Sequence, residues 1–150
     1  MSACIKSNMQ TKTTLHLLTA DPKQRHDRAI RLALYDIGDD VARLIAKYII
    51  SPPKTGRIYI INGRPHQASA PFESPAELTG RLRRSINWQV RGSRQLTIGE
   101  SAYYAKWLEE GTRDHRILPR PHIIRAIRAK HRNTRKTLME YIEKAACGKR

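Results

Sequence analysis

The strongest constraint on the fold is an apolar stripe held between two proline boundaries. Asp21-Pro22 reads as an N-cap followed by proline at the first helical position, where its missing N–H costs nothing. Ile30, Leu34, Ile37, Val41, Leu44 and Tyr48 follow at alternating steps of four and three, which places them on one face of a helix. Ser51-Pro52-Pro53 ends that helix, because proline lacks the ladder donor and drives the residue before it out of helical geometry. A second stripe, Ile124, Ile127, His131, Thr134, Leu138, Tyr141 and Ala145, follows Arg120-Pro121 at the same alternation. His131 and Thr134 interrupt it, so its middle is expected to be less buried than its ends.

Between these helices the period changes. Residues 57–61, with β-branched Ile58, Ile60 and Ile61 around Tyr59, predict a short strand, closed by Asn62-Gly63, which suits a tight turn. Residues 64–74 contain Pro65 and Pro71 and hold no sustained period, which predicts a long loop. Ser74-Pro75-Ala76-Glu77 has the spacing of a capping box and predicts a short helix carrying Leu78, Leu82 and Ile86. A β-hairpin is expected next, from a strand at 88–91, a turn at Gly92-Ser93 and a strand at 95–98. Ser101 is placed to cap another short helix with Tyr104, Trp107 and Leu108 on one face, ended by Gly111, and the polar, basic segment 112–119 leads to the second long helix. The expected fold class is α+β: two long and two short helices packed on a small antiparallel sheet with a β-hairpin, plus extended loops.

A length of 150 residues allows one domain, expected over residues 21–147, with an N-terminal arm at 1–20 and a basic tail at 148–150. Nine aromatic residues leave few large groups to fill a core, which favours assembly with other subunits. The net charge is +16, from 29 Lys and Arg against 13 Asp and Glu, which suits phosphate or an acidic neighbour. Cys4 and Cys147 lie far apart without metal or redox spacing and are read as free, reduced thiols. No apolar run has signal-peptide or membrane-spanning length, so neither secretion nor a membrane partner is expected.

No catalytic constellation emerges. Asp114 with His115 and Arg120 with His122 come nearest to site chemistry, yet the histidines are scattered and read as surface or loop residues, so neither metal nor cofactor is expected. Glu109 and Glu110 are adjacent, and neighbours on a helix point about 100° apart, which argues against a paired-carboxylate site. The glycines fall singly, without a phosphate-binding loop. The densest basic group is Arg81, Arg83 and Arg84, continued by Arg91 and Arg94; Lys130, Arg132, Arg135 and Lys136 read as a solvated helix face. Trp88, between the two basic groups, suits sheet packing better than stacking on bases.

Thr79-Gly80-Arg81-Leu82-Arg83-Arg84-Ser85-Ile86 resembles the Thr-Gly-x-Leu-x-x-Ser-Ile segment of the phage head-to-tail joining family, which precedes a β-hairpin there. The resemblance continues upstream in Ser51-Pro52-Pro53-Lys54-Thr55-Gly56-Arg57-Ile58-Tyr59 and Ala68-Ser69-Ala70-Pro71. Downstream, Tyr104-Ala105-Lys106-Trp107-Leu108-Glu109-Glu110-Gly111-Thr112 is similar to the family's helix ending in Glu-x-Gly-Thr, and Arg120-Pro121-His122-Ile123 to its Arg-Pro start of the last helix. The motifs keep the family's order over residues 21–145. Two positions depart from the pattern: Glu110 and His122 stand where the family often has an aromatic residue.

The resemblance implies a non-enzymatic virion protein, assembled in the host cytoplasm as a ring, commonly of six subunits, at the phage neck. Its partners would be further copies, the head-completion or adaptor proteins, and the tail terminator or tail tube, with genomic DNA passing nearby in the channel. Residues 64–74, residues 112–119 and the N-terminal arm are the expected subunit contacts, and Arg81, Arg83, Arg84, Arg91 and Arg94 the expected DNA- or partner-facing groups. The main alternative is a basic DNA-binding or packaging accessory protein. A nuclease is a further alternative, for which the chain offers no carboxylate or histidine cluster.

Overall fold

The computed structural model describes residues 22–51 and 54–147, so the expected N-terminal arm, Cys4, the Asp21 cap, Pro52-Pro53 and the basic tail lie outside the described residues. The fold is α+β, with four helices, two of them long, and two small antiparallel sheets among the described residues. Helix α1 (Pro22–Ile50) is the spine. Its buried line is Ala29, Ala33, Ile37, Val41, Ile45 and Ile49, repeating every four residues. Leu34, Leu44 and Tyr48 flank that line as partly buried neighbours, so Ile45 and Ile49, absent from the expected stripe, take its deepest positions.

Strands β1 (Ile58–Ile61) and β2 (Arg64–Gln67) form the first hairpin. Ile61 pairs with Arg64, leaving Asn62 and Gly63 as a two-residue turn with φ of 51° and 73°. Positive φ at both positions is the geometry that matches the right-handed twist of paired strands, and Asn-Gly tolerates it best. This corrects the expectation of a loop over residues 64–74, whose first four residues are strand. Pro65 had argued against a strand, yet in a two-stranded sheet it sits on an edge, where its missing N–H removes no ladder bond. The ladder continues through Gly56 N–H to the Ala68 carbonyl and Ala68 N–H to the Arg57 carbonyl, both at 3.0 Å. A Cβ on Gly56 would lie 2.6 Å from that Ala68 oxygen, so the close approach requires glycine.

The expected helix from Ser74 shrinks to α2 (Arg81–Arg84). Gly80 precedes it at φ 72°, a left-handed residue that separates 74–79 from the helical turn, and Glu77 pairs with Arg83 at 2.8 Å instead of closing a capping box. Ile86 consequently belongs to the next strand. Strands β3 (Ile86–Arg91) and β4 (Gln95–Glu100) form the second hairpin, whose turn end is as expected and whose open end is longer by two residues on each strand. Ile86, Trp88 and Val90 alternate inward opposite Glu100, Ile98 and Leu96. Trp88 lies on α1 where Gly38 leaves room for it, and Tyr35 meets its ring edge-on at 5.5 Å.

Helix α3 (Ala105–Glu110) begins four residues after Ser101, which bonds to the Ser85 carbonyl rather than capping the helix. Helix α4 (Ile123–Ala146) packs along α1. Lys130 meets Asp40 at 3.2 Å and Tyr141 bonds Asp36, so the two helices run in opposite directions. The inner face of α4 differs from the expected stripe in its first half. Ile123 and Ala126 face the core while Ile124 and Ile127 are exposed, and the core register continues through Leu138 and Tyr141. The small Ala126 is fully buried at this point, while the bulkier Ile124 and Ile127 are turned outward.

A methyl group on Gly38 would lie 2.7 Å from the Trp88 ring. Ala is the better helix former by about 1 kcal/mol, but the indole is wedged between helix and hairpin and has little room to retreat. We expect Gly38→Ala to be net destabilising by about 1–3 kcal/mol, measured by urea denaturation. A gain in stability would show that the contact yields.

Candidate functional site

The most ordered polar cluster lies where β4, α3 and α4 meet. His122, the residue before α4, is fully buried and makes no cap to its own helix through its side chain. Glu109, near the end of α3, supplies that cap. Its Oε2 accepts the backbone N–H groups of His122 at 2.8 Å and Ile123 at 3.1 Å, and its Oε1 accepts that of Ile124 at 2.9 Å. These are the orphan donors of a helix start, and the carboxylate also faces the positive end of the helix dipole. The same Oε2 lies 2.9 Å from His122 Nδ1, which also reaches the Arg120 carbonyl at 3.1 Å. On the other side of the ring, Nε2 contacts Glu100 Oε1 at 2.8 Å. Glu100 is buried, and its Oε2 has no hydrogen-bond partner.

Burial alone would push the His122 imidazole down; the hydrogen bonds to Glu100 and then Glu109 outweigh it and raise it from 6.5 to about 9. Burial would likewise raise Glu109, but the His122 ring and the three backbone donors hold it at about 2, against an ordinary 4.5. The imidazolium therefore ties the end of β4, the end of α3 and the start of α4 into one joint. The two carboxyl groups contact opposite nitrogens of the ring, so they do not converge on a point where an ion or substrate atom would sit. No group of three or more His, Cys, Asp or Glu is placed to hold a metal ion among the described residues.

Several of the residues on which the expected family resemblance was read sit at joints of this kind. Gly111 has φ 80°, and a Cβ there would meet the Ile117 carbonyl at 2.8 Å. Thr112 closes the loop 112–119 on itself, its backbone N–H bonding to the Ile117 carbonyl and its Oγ1 accepting the Ile117 N–H. Arg120 Nε donates to the Ser69 carbonyl at 3.3 Å, and Pro121 follows it, half-buried, before the helix. Leu82 enters the core, Ser85 bonds to the Leu82 carbonyl, and Ile86 starts β3. Thr79, Gly80, Leu82, Tyr104 and Arg120 line one groove of about 330 Å³, so the upstream and downstream motifs do meet in space.

The five candidate basic residues do not form one patch. Arg83 is paired with Glu77, Arg84 donates to the Thr79 carbonyl, and Arg81 lies over the Tyr103 ring. Arg91 and Arg94 are at the far tip of the β3–β4 hairpin, roughly 15–20 Å along six-residue strands, with Arg94 3.6 Å from Asp27. Trp88 is partly buried, packed on α1 at Gly38 and against Tyr35. Of the residues nearest to site chemistry, His115 is exposed and Asp114 pairs with Arg116, whereas His122 is the buried centre of the joint, not a loop histidine. Its partners lie 13 and 22 residues away, beyond the reach of local spacing. Glu110 points outward to Lys106, away from Glu109. Cys147 is exposed and unpaired. No helix among the described residues is long and apolar enough to cross a membrane.

Comparison with protein-family models, with curated proteins and with solved structures returns no match to this chain.

The joint predicts a pH profile. His122's contribution is complete below pH 6.5 and is lost as pH rises through about 9, while that of Glu109 is complete above pH 4.5 and is lost as pH falls through about 2. Between pH 6.5 and 9 the imidazole should account for a loss of about 3 kcal/mol in urea melts. His122→Phe alone should cost about 3–5 kcal/mol, because it strands a buried carboxyl group. Adding Glu100→Leu should restore most of that and remove the alkaline loss. An unchanged alkaline limb in the double variant would assign it to other groups.

Proposed function

We propose that the chain is a structural ring subunit of the head-to-tail junction of a tailed phage, joining the portal or adaptor complex to the tail. The observation that carries this reading is the β1–β2 hairpin. Ile58 and Ile60 on one face and Tyr59 on the other are 60%, 72% and 48% exposed, on a two-stranded sheet with both edges open among the described residues. An isolated two-stranded hairpin is marginal in water, and open edges with apolar side chains favour pairing with another chain. A ring subunit requires such a projecting element to meet its neighbour. The ordered motifs support the same reading, because their residues hold backbone joints and are not arranged around a reacting centre.

The reading locates the expected subunit contacts in a strand-bearing projection, with residues 112–119 as a second, self-braced loop. The virion, assembled in the host cytoplasm, is the corresponding location, and further copies with adaptor and tail proteins are the corresponding partners. A packaging accessory or sequence-selective DNA-binding protein would instead act as a monomer or dimer on a defined duplex.

Electron microscopy and light scattering of the purified protein should reveal closed rings. The double variant Ile58→Lys, Ile60→Lys should shift it to small species while keeping the thermal melt within a few degrees. Wild-type protein that stays monomeric at every concentration, alone and with tail-assembly intermediates, would sink the proposal.

A further inference from the structure

The basic surface best placed to take a ligand lies on α4, away from Arg81, Arg83, Arg84, Arg91 and Arg94, and includes Arg132, Arg135 and Lys136, which the sequence reading took for a solvated helix face. Arg125, Arg128, Arg132, Arg135 and Lys136 are all exposed. At 3.6 residues per turn they fall within an arc of about 100° and a length of about 16 Å. No carboxylate lies within ion-pair distance of the four arginines among the described residues. Residues 123–139 of the helix contain no Asp or Glu at all. Arg125 has one polar contact, to the Phe72 carbonyl, and Lys136 stands 4.0 Å from Glu140. Lys130, by contrast, is turned toward α1 and paired with Asp40.

This row does not stabilise the free chain. Arg125 stands in the first turn, at the positive end of the helix dipole, where a cation is unfavourable. The pairs Arg125/Arg128, Arg128/Arg132, Arg132/Arg135 and Arg132/Lys136 place like charges at three- and four-residue spacing, where they repel. A polyanion bound along the row would relieve these terms together.

We infer that this face of α4 binds the phosphate backbone of duplex DNA without sequence preference. Four of the five groups are guanidinium, the cation whose planar fork matches phosphate oxygens in pairs. A row of about 16 Å spans roughly five phosphates of one strand at about 3.4 Å each along the duplex axis. A membrane surface fits less well, because Ile123, Ala126, Leu138 and Tyr141 are packed into the core and the large apolar side chains left exposed on α4, Ile124, Ile127 and Met139, are too few to form an inserting apolar face. An acidic protein fits less well too, since no aromatic anchor stands in the row. The assignment does not depend on ring formation, since the face belongs to a single subunit.

The test is fluorescence anisotropy with a random-sequence duplex over a salt series. It compares the full chain with Arg125→Gln, Arg128→Gln, Arg132→Gln, Arg135→Gln, and with a control carrying Arg81→Gln, Arg84→Gln, Arg91→Gln, Arg94→Gln. Both variants lose four charges. Each phosphate contact contributes about 0.9 to the slope of log affinity on log salt, so the α4 variant should flatten the slope by about 3 to 4 and the control by less than about 1. Equal flattening in both would mean that net charge alone attracts DNA and would overturn the inference. Tighter binding of the wild type to phosphatidylserine vesicles or to a polyglutamate peptide than to the duplex would overturn it as well. Circular dichroism melts check folding; should the quadruple variant fail to fold, Arg128→Gln and Arg132→Gln singly should each flatten the slope by about 1. Light scattering on the same samples reports assembly separately, so loss of the ring reading and loss of the DNA face are distinguishable.

Discussion

The Glu109 carboxylate at the start of α4 is the contact on which the remaining geometry depends. It satisfies three backbone donors that no local side chain reaches and fixes the His122 ring that Glu100 holds from the other side. A long helix needs its first turn anchored to pack in one register, and here the anchor comes from another helix rather than from the residue before its own first turn. The placement of α4 on α1 is thereby tied to the placement of α3 and of the β3–β4 hairpin. Separate elements become one body through a buried polar contact, since few large apolar side chains are available to do it by area alone.

Such a joint is not the cheapest way to gain stability. Buried ion pairs rarely outperform a well-packed apolar group of similar volume, and a buried carboxyl oxygen without a partner adds a cost. What the arrangement supplies is direction. The ring accepts only partners at its two nitrogens, and the carboxylate accepts only donors aimed at it, so neighbouring registers of the hairpin or helix would leave charges stranded. An aromatic residue at position 122 would fill the same space without needing Glu100. The pairing of Glu100 with His122 is then a coupled choice, in which neither residue makes sense alone.

Much of the scaffold was legible because its signals are local. Proline boundaries and a four-three alternation are enough to locate α1 and α4, and strict inward alternation is enough for β3 and β4. The errors arose where one local rule met a stronger constraint. Pro65 argues against a strand unless the strand is an edge. Ser74-Pro75-Ala76-Glu77 has the letters of a helix start, but Gly80 at positive φ isolates the single turn that follows it. The stripe on α4 favoured Ile124 and Ile127 for their size, whereas close packing preferred the small Ala126. The buried histidine was out of reach because its meaning lies in two carboxyl groups contributed by other elements. Of the buried joint, Glu109 and His122 were singled out in the sequence as separate groups, whereas their contact with each other and with Glu100 was not.

The two faces of α4 show how a basic chain of this size divides its labour. The inner face is spent on His122, Ile123, Ala126, Leu138 and Tyr141, which fix the helix to the core. The outer face stands on that anchored helix, and its charges need no loop to bring them into line. Charges on the β3–β4 tip and beside α2 are instead drawn into contacts with Asp27, Glu77 and the Tyr103 ring, which makes them part of the structure. Counting arginines along the sequence ranks the segment at 81–94 first, because its cations are adjacent in the chain. Ranking by unpaired charge on a rigid surface reverses that order. The difference arises because an α-helix gathers residues three and four apart onto one face, while the turn and hairpin at 81–94 scatter theirs.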